Sequence, residues 1–91
     1  MRITPKELAG YFDNSQMKAY AVQDDFDKLC RASREYGFRM IAINPAPVAL
    51  CRELLSGSDV HVGAAIGFPL GQTTINDKAN ETKEAIRNGA D

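Results

Sequence analysis

The stretch VHVGAAIGFPLGQTT, residues 60–74, constrains the fold more than any other part of this chain. Val60, Val62, Ala64 and Ile66 alternate onto one face of an extended segment, and Ala65 keeps the other face apolar as well. A strand apolar on both faces belongs in a parallel sheet covered on both sides. Pro69 lacks a donor N–H, so the ladder is expected to end near it. Residues 73–88, TTINDKANETKEAIRN, then place Ile75, Ala79, Thr82 and Ile86 on one narrow helical stripe. Either threonine can cap this helix, and Asn88-Gly89 closes it. Gly-Phe-Pro-Leu-Gly is therefore the turn inside a strand–helix unit.

The same alternation runs upstream. Residues 22–36, VQDDFDKLCRASREY, put Val22, Phe26, Leu29, Cys30 and Ser33 on one helical stripe. Asp24, Asp25 and Asp27 crowd the first turn, where the helix dipole favours anions, and Arg31 and Arg34 follow later. Gly37 can take the left-handed conformation that ends a helix. FRMIAIN, 38–44, is a short apolar run that stops at Pro45 and Pro47, and VALCRELL, 48–55, returns to helical spacing until Gly57. An earlier strand is expected around Leu8 to Ser15. This order predicts an α/β protein with parallel strands and right-handed crossovers. The loops after the carboxyl ends of such strands hold the chemistry. Segments 13–18, 44–47 and 67–74 should therefore share one face.

Bulk properties narrow the function classes. At 91 residues the chain is one domain at most. A net charge of −1 argues against non-specific binding to nucleic acid or an anionic membrane. No apolar run reaches the roughly 20 residues of a membrane span, and MRITPKELAG is not a signal peptide. Cys30 and Cys51 stand outside any CxxC pattern, which fits buried reduced thiols in a cytoplasmic protein.

At the expected rim the chemical inventory is short. Asp13, Asn14, Ser15 and Lys18 could form a polar cluster or a capped turn. Gly67 and Gly71 flank a phenylalanine and a proline, so neither a dinucleotide nor a P-loop fingerprint is present. His61 opens its strand at the end away from the rim. Lys78 and Lys83 read as solvated, with Glu81 and Glu84 near enough for weak surface pairing. No nucleophile stands beside a base, and no metal cluster or cofactor motif is visible.

Motifs add what patterning leaves open. The segment GFRMIAINPAPVALCRELLSGSDVHVGAAIGFPLGQTTINDKANETKEAIRNGAD closely resembles the amino-terminal third of the deoxyribose-phosphate aldolase family. IGFPLG, a threonine pair, a lysine four residues on and a closing NGAD form a specific combination, and upstream FDNSQMKA resembles the family's first-strand motif. The resemblance covers residues 9–91 and implies a TIM barrel, of which this chain would hold about three parallel βα units. It also implies a class I aldolase that cleaves 2-deoxyribose 5-phosphate to glyceraldehyde 3-phosphate and acetaldehyde through a lysine Schiff base, with no cofactor and no metal. Asp13 then matches an acid near the reactive lysine, Ser15 a threonine that lines the pocket, and Ala42 a position often held by cysteine. Asn44 and Phe68 are expected on the pocket rim, and a phosphorylated sugar and further copies of the chain are the implied partners.

The departures also carry information. Asn14 stands for a histidine, Gln16 and Met17 for a leucine pair, Ala19 for a proline and Val22 for a capping threonine, the last at a cost of about 1 kcal/mol. The family's catalytic aspartate, its Schiff-base lysine and its phosphate-binding residues correspond to positions beyond Asp91. A closed barrel takes about 250 residues. Residues 1–91 are thus expected to be an amino-terminal fragment of an aldolase domain, with no catalytic residue of their own. Two other readings stand beside this one: a non-catalytic α/β module that self-associates or binds a partner, and a related lysine-dependent aldolase for another phosphorylated substrate.

Overall fold

The computed structural model describes residues 2–91. It opens with a short helix, α1 (Pro5–Ala9), where the expected first strand was to include Leu8 and Ala9. The physical reason lies in Thr4-Pro5-Lys6-Glu7. The Thr4 hydroxyl accepts from the Glu7 N–H at 3.1 Å, and the Glu7 carboxylate accepts from the Thr4 N–H at 3.3 Å. With Pro5 preset for the first helical position, this capping box outweighs any extended preference. The strand itself, β1, is Asp13–Gln16.

The remaining elements follow the expected order: α2 (Gln23–Tyr36), β2 (Met40–Ile43), α3 (Val48–Leu54), β3 (His61–Ala64) and α4 (Ile75–Arg87). The three strands are parallel in the order β1-β2-β3. Their register aligns Asp13 with Met40 and His61, and Ser15 with Ala42 and Gly63. Partnered residues in a parallel ladder point to the same face, so the sheet sorts into two sets.

One face is the core. Ile41, Ile43 and Val62 pack with Phe26, Leu29 and Cys30 of α2 and with Val48 and Cys51 of α3, beside Leu55 and Val60. The Cys30 and Cys51 thiols are buried and free. Each is the other's main influence: Cys30 and burial push the Cys51 thiol up, while Cys51 draws the Cys30 thiol down against burial. The Arg34 guanidinium donates to the carbonyls of Leu54 at 2.9 Å and Ser56 at 3.2 Å, tying α2 to the end of α3.

The opposite face carries Asp13, Ser15, Met40, Ala42 and Gly63. Helices α2 and α3 pack against the core face, and among the described residues no helix covers this one. This corrects the expectation that β3 is covered on both sides: Val62, on the core face, is buried, whereas Gly63, on the open face, is half-buried. The strand also ends at Ala64 rather than Ile66, although the Ala65 N–H still donates to the Ile43 carbonyl at 2.8 Å. Met40 reaches across the open face so closely that a Cβ on residue 63 would lie 2.7 Å from its sulfur.

Helix α4 reverses another expectation. Its contacting side is Lys78, Glu81 and Ala85, while Ile75 is 84% and Ile86 61% exposed. Its end is fastened at the amino-terminal edge of the sheet. The Asp91 carboxylate accepts from the Val62 N–H at 2.8 Å and the Arg52 guanidinium at 3.0 Å, and the Asp91 N–H donates to the Val62 carbonyl at 2.8 Å. Among the described residues, no helix is long and apolar enough to cross a membrane.

Candidate functional site

Three loops gather beyond the carboxyl ends of the strands, as the parallel order requires. The loop after β1 contains Met17 and Lys18, the loop after β2 contains Asn44 to Pro47, and the loop after β3 runs from Ala65 to Thr74. Pro45 follows β2 and Gly67 follows β3 within a few residues, while β1 ends at Gln16 before a stretch that has neither residue type. The main-chain groups of these loops need other partners.

Side chains supply those partners. The Asn44 side-chain amide donates to the Met17 carbonyl at 3.4 Å, joining the first loop to the second. The Glu81 carboxylate of α4 accepts from the Gly67 N–H at 2.9 Å, joining the third loop to the helix after it. Gly67 and Gly71 both have positive φ, 63° and 69°, and bracket a cis Phe68–Pro69 peptide bond. Thr74 closes the loop by capping α4, its hydroxyl accepting from the Asp77 N–H at 3.1 Å.

Two clefts lie between these loops. One of about 310 Å³ has Lys18, Gln23, Asn44 and Leu50 in its walls. The other, about 340 Å³, is lined by Asn44, Pro45, Phe68, Leu70 and Glu81 among others. Asn44 is shared by both, and Phe68 stands exposed at the second. Asn44 and Phe68 thus both stand in loops that follow the carboxyl ends of strands.

The strand residues sort differently. Ser15 and Ala42 are register partners on the open face, two rows above Asp13. Asp13 opens β1 instead of closing it, in the row of Met40 and His61, and so lies at the other end of the sheet from Phe68. This corrects its expected place at a carboxyl end. The cause is the short helix α1, which displaces the strand towards higher numbers than Leu8 to Ser15. His61 is off the rim, as expected, with its Nδ1 3.4 Å from the Asp91 carboxylate.

Two further residues depart from expectation. Lys78 is half-buried, with its stem beside Gly67: a Cβ at residue 67 would lie 3.4 Å from its Cε. Glu81 binds the rim loop and makes no ion pair with a lysine among the described residues. The signal for both was the spacing Lys78, Glu81, Ala85, one helix face whose apolar member is a single alanine. The more apolar Ile75–Ile86 stripe masked it.

With this geometry in view, known proteins supply a frame. No family model matches the chain. A deoxyribose-phosphate aldolase of Bacteroides thetaiotaomicron is 50% identical over 88 residues, covering 97% of this chain and 37% of its own length. One from Aciduliprofundum boonei is 42% identical, covering 94% of this chain and 39% of its own. Among solved structures, a putative deoxyribose-phosphate aldolase from Coccidioides immitis superposes with a TM-score of 0.92 at 32% identity, over 97% of this chain and 35% of that one. The tetrameric deoxyribose phosphate aldolase of Aeropyrum pernix gives 0.89 at 30% identity, over 96% and 37%. In sequence and in fold alike, the chain matches deoxyribose-phosphate aldolases, and it spans little more than a third of their length.

Proposed function

We propose that residues 1–91 supply the first three βα units of a Schiff-base aldolase domain that cleaves 2-deoxyribose 5-phosphate, and that the 91 residues alone are not catalytic. The observation that carries this reading is the agreement of 50% identity to one such aldolase with a TM-score of 0.92 to another, each over 97% of the chain. In this reading the open sheet face is the wall of the barrel interior. Ser15 and Ala42 line the pocket, Asp13 lies deeper on the same wall, and Asn44 and Phe68 form its rim. The substrate is a phosphorylated sugar in the cytoplasm, and copies of the assembled barrel are the partners. Neither cofactor nor metal takes part, and no nucleic acid or membrane is engaged.

The chemistry supports the division of labour. A Schiff-base aldolase needs a lysine amine kept partly unprotonated by desolvation or by a second cation. All five lysines of this chain stand on helices or loops, so the open face offers no such amine. What the three units contribute is the wall, its polar lining and the rim loops.

A chimera tests the reading. The matched segment of the Bacteroides thetaiotaomicron aldolase is replaced by residues 1–91, and retro-aldol cleavage of 2-deoxyribose 5-phosphate is followed. Activity within about tenfold of the parent, a transition-state difference under about 1.4 kcal/mol, is the expected result. A folded but inactive chimera would overturn the proposal. Cleavage of a different phosphorylated sugar in preference would favour the related-aldolase reading. The self-associating module draws its support from the open face and from exposed Leu70, Ile75 and Ile86.

A further inference from the structure

The Gly67 N–H is the point where the third rim loop leaves the ladder. The last sheet bond before it is Ala65 N–H to the Ile43 carbonyl, so the Gly67 donor has no strand partner. A buried or half-buried donor in that position needs another acceptor. It finds one fourteen residues later on α4, in the Glu81 carboxylate at 2.9 Å. Gly67 is thereby held between two side chains of one helix face, Glu81 at its N–H and the Lys78 stem at its Cα.

Glu81 also stands between two loops. It lines the cleft shared by Asn44, Phe68 and Leu70, and a smaller one with Pro45, Ala46 and Ala85. No ion pair competes for its carboxylate among the described residues. The far end of the loop is fixed separately by the Thr74 cap. We infer that Glu81 is a positioning residue: it sets the shape of the Gly67–Leu70 loop and so the place of Phe68 at the cleft. The inference deepens the aldolase reading and rests on it for the loop's role at a pocket, while the contact itself is independent of that reading.

Amide hydrogen exchange of the 91-residue chain reads the contact directly. In the unaltered chain the Gly67 amide should be protected. In Glu81→Ala it should exchange at least about tenfold faster, the loss of one charge-assisted hydrogen bond, while Ile41 and Val62 keep their rates. Glu81→Gln retains a carbonyl acceptor at the same reach and should restore most of the protection. Three results would each overturn the proposal: an unprotected Gly67 in the unaltered chain, unchanged exchange in Glu81→Ala, or equal acceleration at Ile41 and Val62, which marks general destabilisation. If Glu81→Ala does not fold, that too is general destabilisation and counts against it. None of these readouts depends on activity, so an inactive chimera and an unprotected Gly67 are separate failures.

Discussion

At the residue scale, Asp91 shows how much one carboxylate can organise. The Val62 N–H holds its carboxyl below the ordinary value of about 3.8, helped by the Arg52 guanidinium and the His61 ring, against a smaller burial penalty. A carboxylate with a depressed native value stabilises the fold above its unfolded value, and that stabilisation is lost as pH falls through the native one. The side chain is 41% exposed, so solvent screening keeps its contribution to about 1 kcal/mol. Asp91→Asn should therefore lower stability by about that amount at pH 7 in urea denaturation. The gap should close once pH falls below 3.8 and through the native value. A difference that persists unchanged at the lowest pH would contradict this account. The neighbouring Gly89, with φ of 114° and the Arg52 stem 2.7 Å from where its Cβ would lie, explains why the chain turns here. Sequence patterning marks Asn88-Gly89 as a helix end but is blind to a carboxylate that bonds a strand twenty-nine residues earlier. The loops that hold Asn44 and Phe68 were legible because proline and glycine mark them. Asp13 was not, because a residue's row in a strand depends on where the strand starts.

At the element scale, legibility followed apolar content. β2 alternates half-buried and buried along Met-Ile-Ala-Ile and is plain in the sequence. β1 reads Asp-Asn-Ser-Gln and has no apolar residue on either face, so nothing in its composition marks a strand. Its covered side is polar for a local reason: the Asn14 amide reaches the Ser33 hydroxyl at 3.4 Å, and that hydroxyl donates to the Leu29 carbonyl at 2.7 Å. Helix α2 was legible in its stripe of Phe26, Leu29, Cys30 and Ser33 and in Gly37, whose φ of 70° ends it. Val22, expected on that stripe, instead precedes the helix, whose start is half-capped. The Asp25 carboxylate accepts from the Val22 N–H at 2.8 Å, while Val22 itself has no acceptor to offer. Val22 is extended and 62% exposed, so a hydroxyl there meets no core. Val22→Thr should stabilise the chain by about 1 kcal/mol, several degrees in a thermal melt for a domain of this size. A lower melting temperature would show that Val22 makes a contact outside this fold. On α4, the exposed Ile75 and Ile86 invite the opposite test: lysine at both should change folding stability by no more than about 0.5 kcal/mol.

At the scale of the whole molecule, the order of strands was readable because Gly and Pro punctuate every unit, whereas the bare face was not, since a strand's sequence does not say what covers it. Three parallel strands with one open face and two open edges are hard to stabilise alone. Ultracentrifugation at micromolar concentration should find species heavier than 10.0 kDa, and a well-dispersed amide spectrum from a monomer would contradict this. The same architecture makes a chemical prediction. Lys6 lies on α1, Lys28 on α2, Lys78 and Lys83 on α4, and Lys18 in the loop after β1. Four of the five are exposed, Lys28 is paired with Asp24 at 3.1 Å, and Lys18 rests 5.9 Å over the Tyr20 ring. A solvated lysine amine is overwhelmingly protonated at neutral pH, and a Schiff base forms fast only where desolvation or a nearby cation frees the amine. Incubation with acetaldehyde and borohydride should therefore give slow labelling spread over the lysines, with no saturable site. Lys18 and Lys78 are the stringent cases, because one borders the first cleft and the other lies beside Gly67. Peptide mass spectrometry distinguishes the outcomes: rapid, saturable modification of either lysine would mean that the isolated units keep an aldolase-like amine, and that catalysis does not wait for the rest of a barrel.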